Sequence, residues 1–220
     1  MAMRFPTFKT RRVDELQVPL EYDESWLVSG PKDRRQRILG IVRALADDVQ
    51  AKHIRTQKVR ILDIGGKCYA NELKDDSIID YRMIDLHKKM SKTRGGYNVH
   101  PEGETYDGRN LPYSENTVDI AIMGFMLHHA SQDSIFILEQ VRRIAKRYVI
   151  VTEDLSEVDY PDQWHERNFN HQVGGMFRSN EEWRRLFRLI GFSLKQSIAI
   201  RRSDDLDGDK VFRALYVLET

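Results

Sequence analysis

Residues 59–86 read VRILDIGGKCYANELKDDSIIDYRMIDL, and the order of elements in this stretch decides the fold. The run VRILDI, Val59 to Ile64, is short, rich in β-branched and aliphatic residues, and closed by the pair Gly65 and Gly66. That is the pattern of a parallel strand buried on both faces. A second run, YRMIDL, spans Tyr81 to Leu86, and the intervening YANELKDD leaves room for a short helix only. Strand, helix, strand predicts a parallel pair and therefore an α/β sheet.

Downstream, the third strand falls within residues 97–106, where Pro101 and Gly103 interrupt the pattern. Val118 to Phe125, VDIAIMGF, is apolar almost throughout and predicts a central strand covered on both faces. Ile135 to Arg147 places Ile135, Leu138, Val141, Arg142 and Ala145 at helical spacing, with Ser131 or Asp133 available as the cap. YVIVT, Tyr148 to Thr152, follows as the next strand. Ser179 and Glu182 form an S-x-x-E capping box for a helix whose apolar face is Trp183, Leu186, Phe187 and Ile190, ended by Gly191. Leu194 to Ile200 and Val211 to Leu218 alternate around DDLDGD and predict an antiparallel hairpin. Upstream, residues from about Pro31 to Ala51 predict a helix through Ile38, Ile41, Val42 and Leu45, weakened by Gly40. The sum is a three-layer α/β domain over 58–220, a mostly parallel sheet ending in an antiparallel hairpin. Residues 1–57 form an N-terminal arm and helical region packed on it.

The length of 220 residues favours one domain over two. Thirty-five Lys and Arg against thirty-four Asp and Glu give a net charge of +1, so no overall field favours a polyanion. The single cysteine, Cys68, excludes an internal disulfide and an all-cysteine zinc site. The apolar run Ile120 to Leu127 is eight residues, too short to span a bilayer. The N-terminus lacks the apolar stretch of a secretory signal, which predicts a cytoplasmic protein. Its basic, acid-free start keeps an organellar matrix as the alternative. Charge is uneven along the chain: residues 1–60 carry thirteen basic and eight acidic side chains, residues 82–100 five and one, and residues 153–182 two and eight. The basic segments 1–60 and 82–100 offer a surface for RNA or a protein partner, against the plainer reading of solvated faces.

In such a sheet the ligand crevice lies beyond the carboxyl ends of the strands, so the loops there carry the candidates. Gly65 and Gly66 let the backbone approach a ligand. Asp63, an acid at the end of an apolar strand, needs donors such as loop amides or a ligand ammonium. Asp85 ends the second strand twenty-two residues later, at the separation of an acid that accepts both hydroxyls of a ribose, though a helix cap would look the same. Asp107 could accept from an adenine amino group, with Gly108 and Arg109 as backbone donors, or simply close a polar turn. His128 and His129 follow the central strand directly.

Taken together, these segments resemble the class I S-adenosylmethionine-dependent methyltransferases, in particular the type 11 branch that includes the ubiquinone-biosynthesis-like enzymes. The resemblance runs from Val59 to the C-terminus. Its most specific parts are YDGRNLPYSENTVDIAIMGFMLHHA, residues 106–130, and RSNEEWRRLFRLIGF, residues 178–192. It implies a Rossmann-like methyltransferase fold with S-adenosylmethionine as cofactor and S-adenosylhomocysteine as product. Asp63, Gly65, Gly66 and Lys67 then fall on the motif that holds the methionine part. Asp85, with Leu86 beside it, falls on the ribose, Asp107 and Gly108 on the adenine, and Met123 and Gly124 where the fourth strand opens under the cofactor. The sequence departs from the family where Lys67 and Tyr69 replace two glycines.

Methyl transfer needs alignment and exclusion of water more than a dedicated base. Where the acceptor is a hydroxyl or an acidic carbon, a base helps, and the candidates are His128, His129, Glu153, His165 and His171. Residues 153–178 form a long insertion with Tyr160, Trp164, Phe169 and Phe177, the composition of a lid, and its acidity favours a small-molecule acceptor over nucleic acid. His165 and His171 match no metal-ligand spacing. Two readings therefore stand: a methyltransferase with an unidentified acceptor, and a methyltransferase-like cofactor-binding or non-catalytic assembly or RNA-associated protein, supported by Lys67 and Tyr69. A nicotinamide oxidoreductase is set aside, because LDIGGKCYAN lacks the G-x-G-x-x-G turn.

Overall fold

The computed structural model describes residues 27–28, 31–52, 57–65, 69–86, 104–155, 176–202 and 212–220. Within them the order is β1 (Leu27–Val28), α1 (Pro31–Lys52), β2 (Val59–Ile64), α2 (Ala70–Leu73), β3 (Ile79–Leu86), β4 (Glu104–Tyr106), β5 (Val118–Gly124), α3 (Ser134–Ile144), β6 (Ala145–Asp154), α4 (Asn180–Ile190), β7 (Ser193–Arg202) and β8 (Phe212–Glu219). The eight strands form one sheet in the order β1-β7-β8-β6-β5-β2-β3-β4. All neighbours are parallel except β8, which runs antiparallel to both β6 and β7. This is the expected Rossmann-like architecture. The chain leaves β2 toward β3 and β4 on one side, while β5 lies on the other, so strand order reverses between β2 and β5.

Alternation along the strands sorts side chains into two cores. Leu62, Ile64, Ile84, Met123, Val149 and Val151 face α3 and α4, where they meet Ile137, Leu138, Trp183 and Phe187. Ile61, Ile79, Ile120, Ile122, Tyr148 and Ile150 face α1 and meet Ile38, Leu39, Val42 and Val49. Burying each such aliphatic side chain contributes about 1.5–3 kcal/mol. Polar anchors fix α1 on its face. Arg35 donates through Nε and Nη2 to the two carboxylate oxygens of Glu72 in α2, both at 2.7 Å. The Tyr148 hydroxyl donates to Asp48 at 2.7 Å. The N-terminal helix is thereby tied to the sheet it covers.

The third strand, Glu104–Tyr106, falls inside the expected window 97–106, whereas other boundaries differ from expectation. β6 begins directly at the end of α3 and runs to Asp154, so Glu153 and Asp154, expected to open the insertion, continue the strand opposite Ala214 and Arg213. Neither Ser131 nor Asp133 caps α3 through its side chain: Asp133 occupies the N-cap position without a cap bond, and the Ser134 hydroxyl donates to Ser131 O at 2.7 Å across a preceding 3-10 turn. The capping box of α4 forms as predicted, and Gly191 ends that helix in the left-handed region at φ 98. The DDLDGD turn and most of the insertion lie outside the described residues, as do residues 1–26.

Candidate cofactor crevice and the histidine beside it

At the switch point the loop after β2 begins with Gly65, whose φ is +70 and whose N–H donates to Ile84 O at 2.8 Å. A Cβ there would stand 3.1 Å from the Met126 Cβ, so the loops after β2 and β5 touch at these two residues. The approach of Met126 follows from a sharp exit from β5: Phe125 has φ 54, a conformation that side chains larger than glycine seldom adopt, and its N–H donates to Thr152 O at 2.7 Å.

The three acids are placed by the strand period. Asp63 continues the Val59, Ile61 row and Asp85 the Ile79, Tyr81, Met83 row, so both occupy the α1 face at the carboxyl ends of adjacent strands. Asp63 is buried and accepts from the Tyr81 hydroxyl at 2.5 Å. Asp85 is half-buried. Asp107 lies in the loop after β4, where Gly108 has φ 89. Its Oδ1 accepts from the backbone N–H of Arg109 at 2.8 Å and of Asn110 at 2.7 Å, and its Oδ2 from the Asn110 amide at 2.8 Å. These bonds, led by the backbone N–H of Asn110, lower its pKa to about 2. Asp107 thus orders its own turn as a charged carboxylate. Tyr106, the residue before Asp107, is buried in the core on the α3 and α4 side, with a phenol oxygen that has no partner among the described residues. Burial first, then the charges of Asp85 and Asp107, raise the phenol pKa, so it stays a donor.

The remaining expected cofactor residues divide. Met123 is fully buried in the α3 and α4 core, which leaves its backbone alone for any ligand, and Gly124 is half-buried at the strand end. Leu86 pairs with Tyr106 in register. Gly66 and Lys67 lie outside the described residues. Tyr69, the second departure from the family motif, is buried in the α1-side core with the Arg35 guanidinium 5.8 Å from its ring centre.

On the opposite sheet face, Glu153 continues the Val149, Val151 row and meets the loop after β5. Its Oε1 accepts from the N–H groups of Met126 at 3.0 Å and Leu127 at 2.7 Å, while His128 Nδ1 lies 2.5 Å from Oε2. Both side chains are buried. Burial would lower the His128 pKa, but the hydrogen bond to Glu153 and the charges of Glu153 and Asp154 outweigh it and raise the value above 6.5. Glu153 thus holds three contacts on its two carboxylate oxygens. The His129 ring stands 4.0 Å from His128, and burial with the neighbouring His128 charge lowers its pKa to about 4. Phe177 stacks on His128 at 4.9 Å, and the Met176 N–H donates to His128 O at 2.8 Å. His165 and His171 lie outside the described residues.

The structure therefore brings Asp63 and Asp85 onto one face, leaves Asp107 in the loop after β4 and Tyr106 in the opposite core, and joins His128 to Glu153. Sequence reasoning missed Tyr81, Tyr106 and Met126. Tyr81 alone carried a readable signal, since it shares the period-2 row of Asp85.

Residues 62–151 match the family model described as methyltransferase domain. No curated protein matches the chain. Among solved structures, a chain of the complex between the Haloferax volcanii Trm112 methyltransferase activator and a methyltransferase is 18% identical, with 88% of this chain and 96% of that one covered and a TM-score of 0.54. A SAM-dependent methyltransferase from Methanosarcina mazei is 13% identical, with 78% and 96% covered and a TM-score of 0.55. The cyclase SpnF is 16% identical, with 80% of each chain covered and a TM-score of 0.55. The sheet order and these likenesses define a protein of the class I methyltransferase fold. Its central segment, residues 62–151, is similar to the methyltransferase-domain family.

Proposed function

We propose that the protein binds S-adenosylmethionine in the crevice between the β2 and β5 loops and transfers its methyl group to a small acceptor. The observation that carries this reading is the shared placement of Asp63 and Asp85 on one face at the switch point. The acids fit the cofactor: Asp63, held by Tyr81, is placed to receive an ammonium, and Asp85 to accept from a diol. When bound, S-adenosylmethionine supplies an electrophilic methyl whose C–S electrons return to sulfur as the acceptor's lone pair bonds to carbon. For an acceptor that carries a proton on its nucleophile, His128 takes that proton at Nε2, because Nδ1 is committed to Glu153. Glu153 fixes the ring and stabilises the imidazolium that results. Met126, Phe177 and the loop that follows β5 exclude water from the reacting atoms.

Lys67 in place of a glycine supports a second reading, a methyltransferase-like protein that binds a partner without catalysis, through the basic segments 1–60 and 82–100 or as an activator-bound subunit. Thermal unfolding with S-adenosylmethionine and with S-adenosylhomocysteine separates the two. A ligand at 100 times its dissociation constant adds about 2.7 kcal/mol of stability, which raises the midpoint measurably. A shift with both compounds is expected; no shift with either would leave the second reading.

A further inference from the structure

At the carboxyl edge of the sheet, two buried donors lack acceptors among the described residues. The backbone of Arg178 bridges to Leu155 just beyond β6, and its guanidinium sits 4.8 Å from the ring centre of Trp183 in the first turn of α4. Arg178 Nη1 and Trp183 Nε1 are each buried without a hydrogen-bond partner among the described residues. Trp183 is fully buried and Arg178 half-buried. A buried N–H without an acceptor is costly, and more so when it belongs to a cation. The acids nearest in charge are committed elsewhere: Glu153 to Met126, Leu127 and His128, and Glu182 to the capping box through Ser179. Burial lowers the guanidinium pKa although the charges of Glu182 and Glu153 oppose it. The same short segment covers the candidate base, since Met176 bonds the His128 carbonyl and Phe177 stacks on its ring.

We infer that Arg178 and the Trp183 indole N–H anchor an oxyanion, a carboxylate or a phosphate, carried by the methyl acceptor. The acceptor is then a small acidic molecule, held at its charged end by α4 and presenting its nucleophile toward His128. A guanidinium suits either group, because its planar fork can place two parallel N–H bonds on two oxygens, and the indole adds a neutral donor beside it. That the anion belongs to the acceptor rests on the methyl-transfer reading; that an anion binds here does not.

Titration of the full chain with inorganic phosphate and with benzoate, at constant ionic strength in chloride, tests the site by calorimetry. Saturable binding of at least one probe is expected, with phosphate alone marking a phosphate-bearing acceptor and benzoate alone a carboxylate. Arg178→Gln should weaken that binding about ten-fold or more, the scale of a lost charge-assisted contact. Arg178→Lys, which keeps the charge, should retain most of it. The melting temperature of Arg178→Gln without anion should not fall, which separates recognition from a structural role. Absence of saturable binding by both probes, or an unchanged affinity in Arg178→Gln, would overturn the inference. S-adenosylmethionine binding measured on the same samples keeps the two failures apart: cofactor binding without an Arg178-dependent anion site sinks only this inference, and the reverse result sinks only the methyl-transfer reading.

Discussion

His128 owes its proposed role to neighbours on three elements. Glu153 comes from β6, Phe177 from the segment before α4, and Asp154 with Arg213 from the β6 and β8 ends, where the Arg213 guanidinium pairs with Asp154. Among the charged groups around it, Glu153 and Asp154 raise its pKa, whereas burial and Arg213 lower it. The folded pKa therefore lies above 6.5, and the neutral imidazole that can accept a proton gains population as pH rises through that higher value. By linkage, the stability that the pair contributes is fully present below the unfolded pKa and fades as pH rises through the folded one. NMR titration of labelled histidines should show His128 titrating above the ordinary range. Glu153→Gln should move it down by a unit or more, about 1.4 kcal/mol per unit. A His128 midpoint that Glu153→Gln leaves in place would contradict the pairing. The acids at 63 and 85 were legible as polar residues at the ends of apolar strands, and the acid at 107 as part of a polar turn. Their partners were not, because a hydrogen bond such as Tyr81 to Asp63 joins residues eighteen apart through strand register.

The elements that could be read were those whose local pattern and tertiary environment agree. β5 is apolar along its length because both faces are covered, and the S-x-x-E box of α4 is a local device that needs no other element. Ser179→Ala should cost about 1 kcal/mol of stability in chemical denaturation, with the slope unchanged. A cost near zero would show that the Glu182 bonds carry no weight. β6 was only half legible. Its ends hold Lys146 and Arg147, read as the close of the preceding helix, and Glu153 and Asp154, read as the start of the insertion; their partners are Asp119, Asp48, His128 and Arg213. The two-residue β1 exists through its parallel pairing with Arg201 and Arg202 and has no signature of its own. α3 lacks a side-chain cap, so its start was sought in the wrong chemistry.

At the scale of the molecule, the sheet order places the carboxyl ends of β2, β3, β4 and β5 along one edge, and that edge is where the acids gather. Among the described residues no helix is long and apolar enough to cross a membrane. A fold alone does not name a reaction: proteins of this shape include the cyclase SpnF as well as methyltransferases. The case for methyl transfer rests instead on carboxylates that suit an ammonium and a diol, matched to a methyltransferase domain over residues 62–151. The most direct test is calorimetric binding of S-adenosylhomocysteine to the wild type and to Asp85→Ala. One site per chain is expected, weakened about ten-fold or more in the variant as the two ribose hydroxyls lose a charged acceptor. Binding of equal strength in both proteins, or none in the wild type, would contradict the placement of the adenosyl group at Asp85.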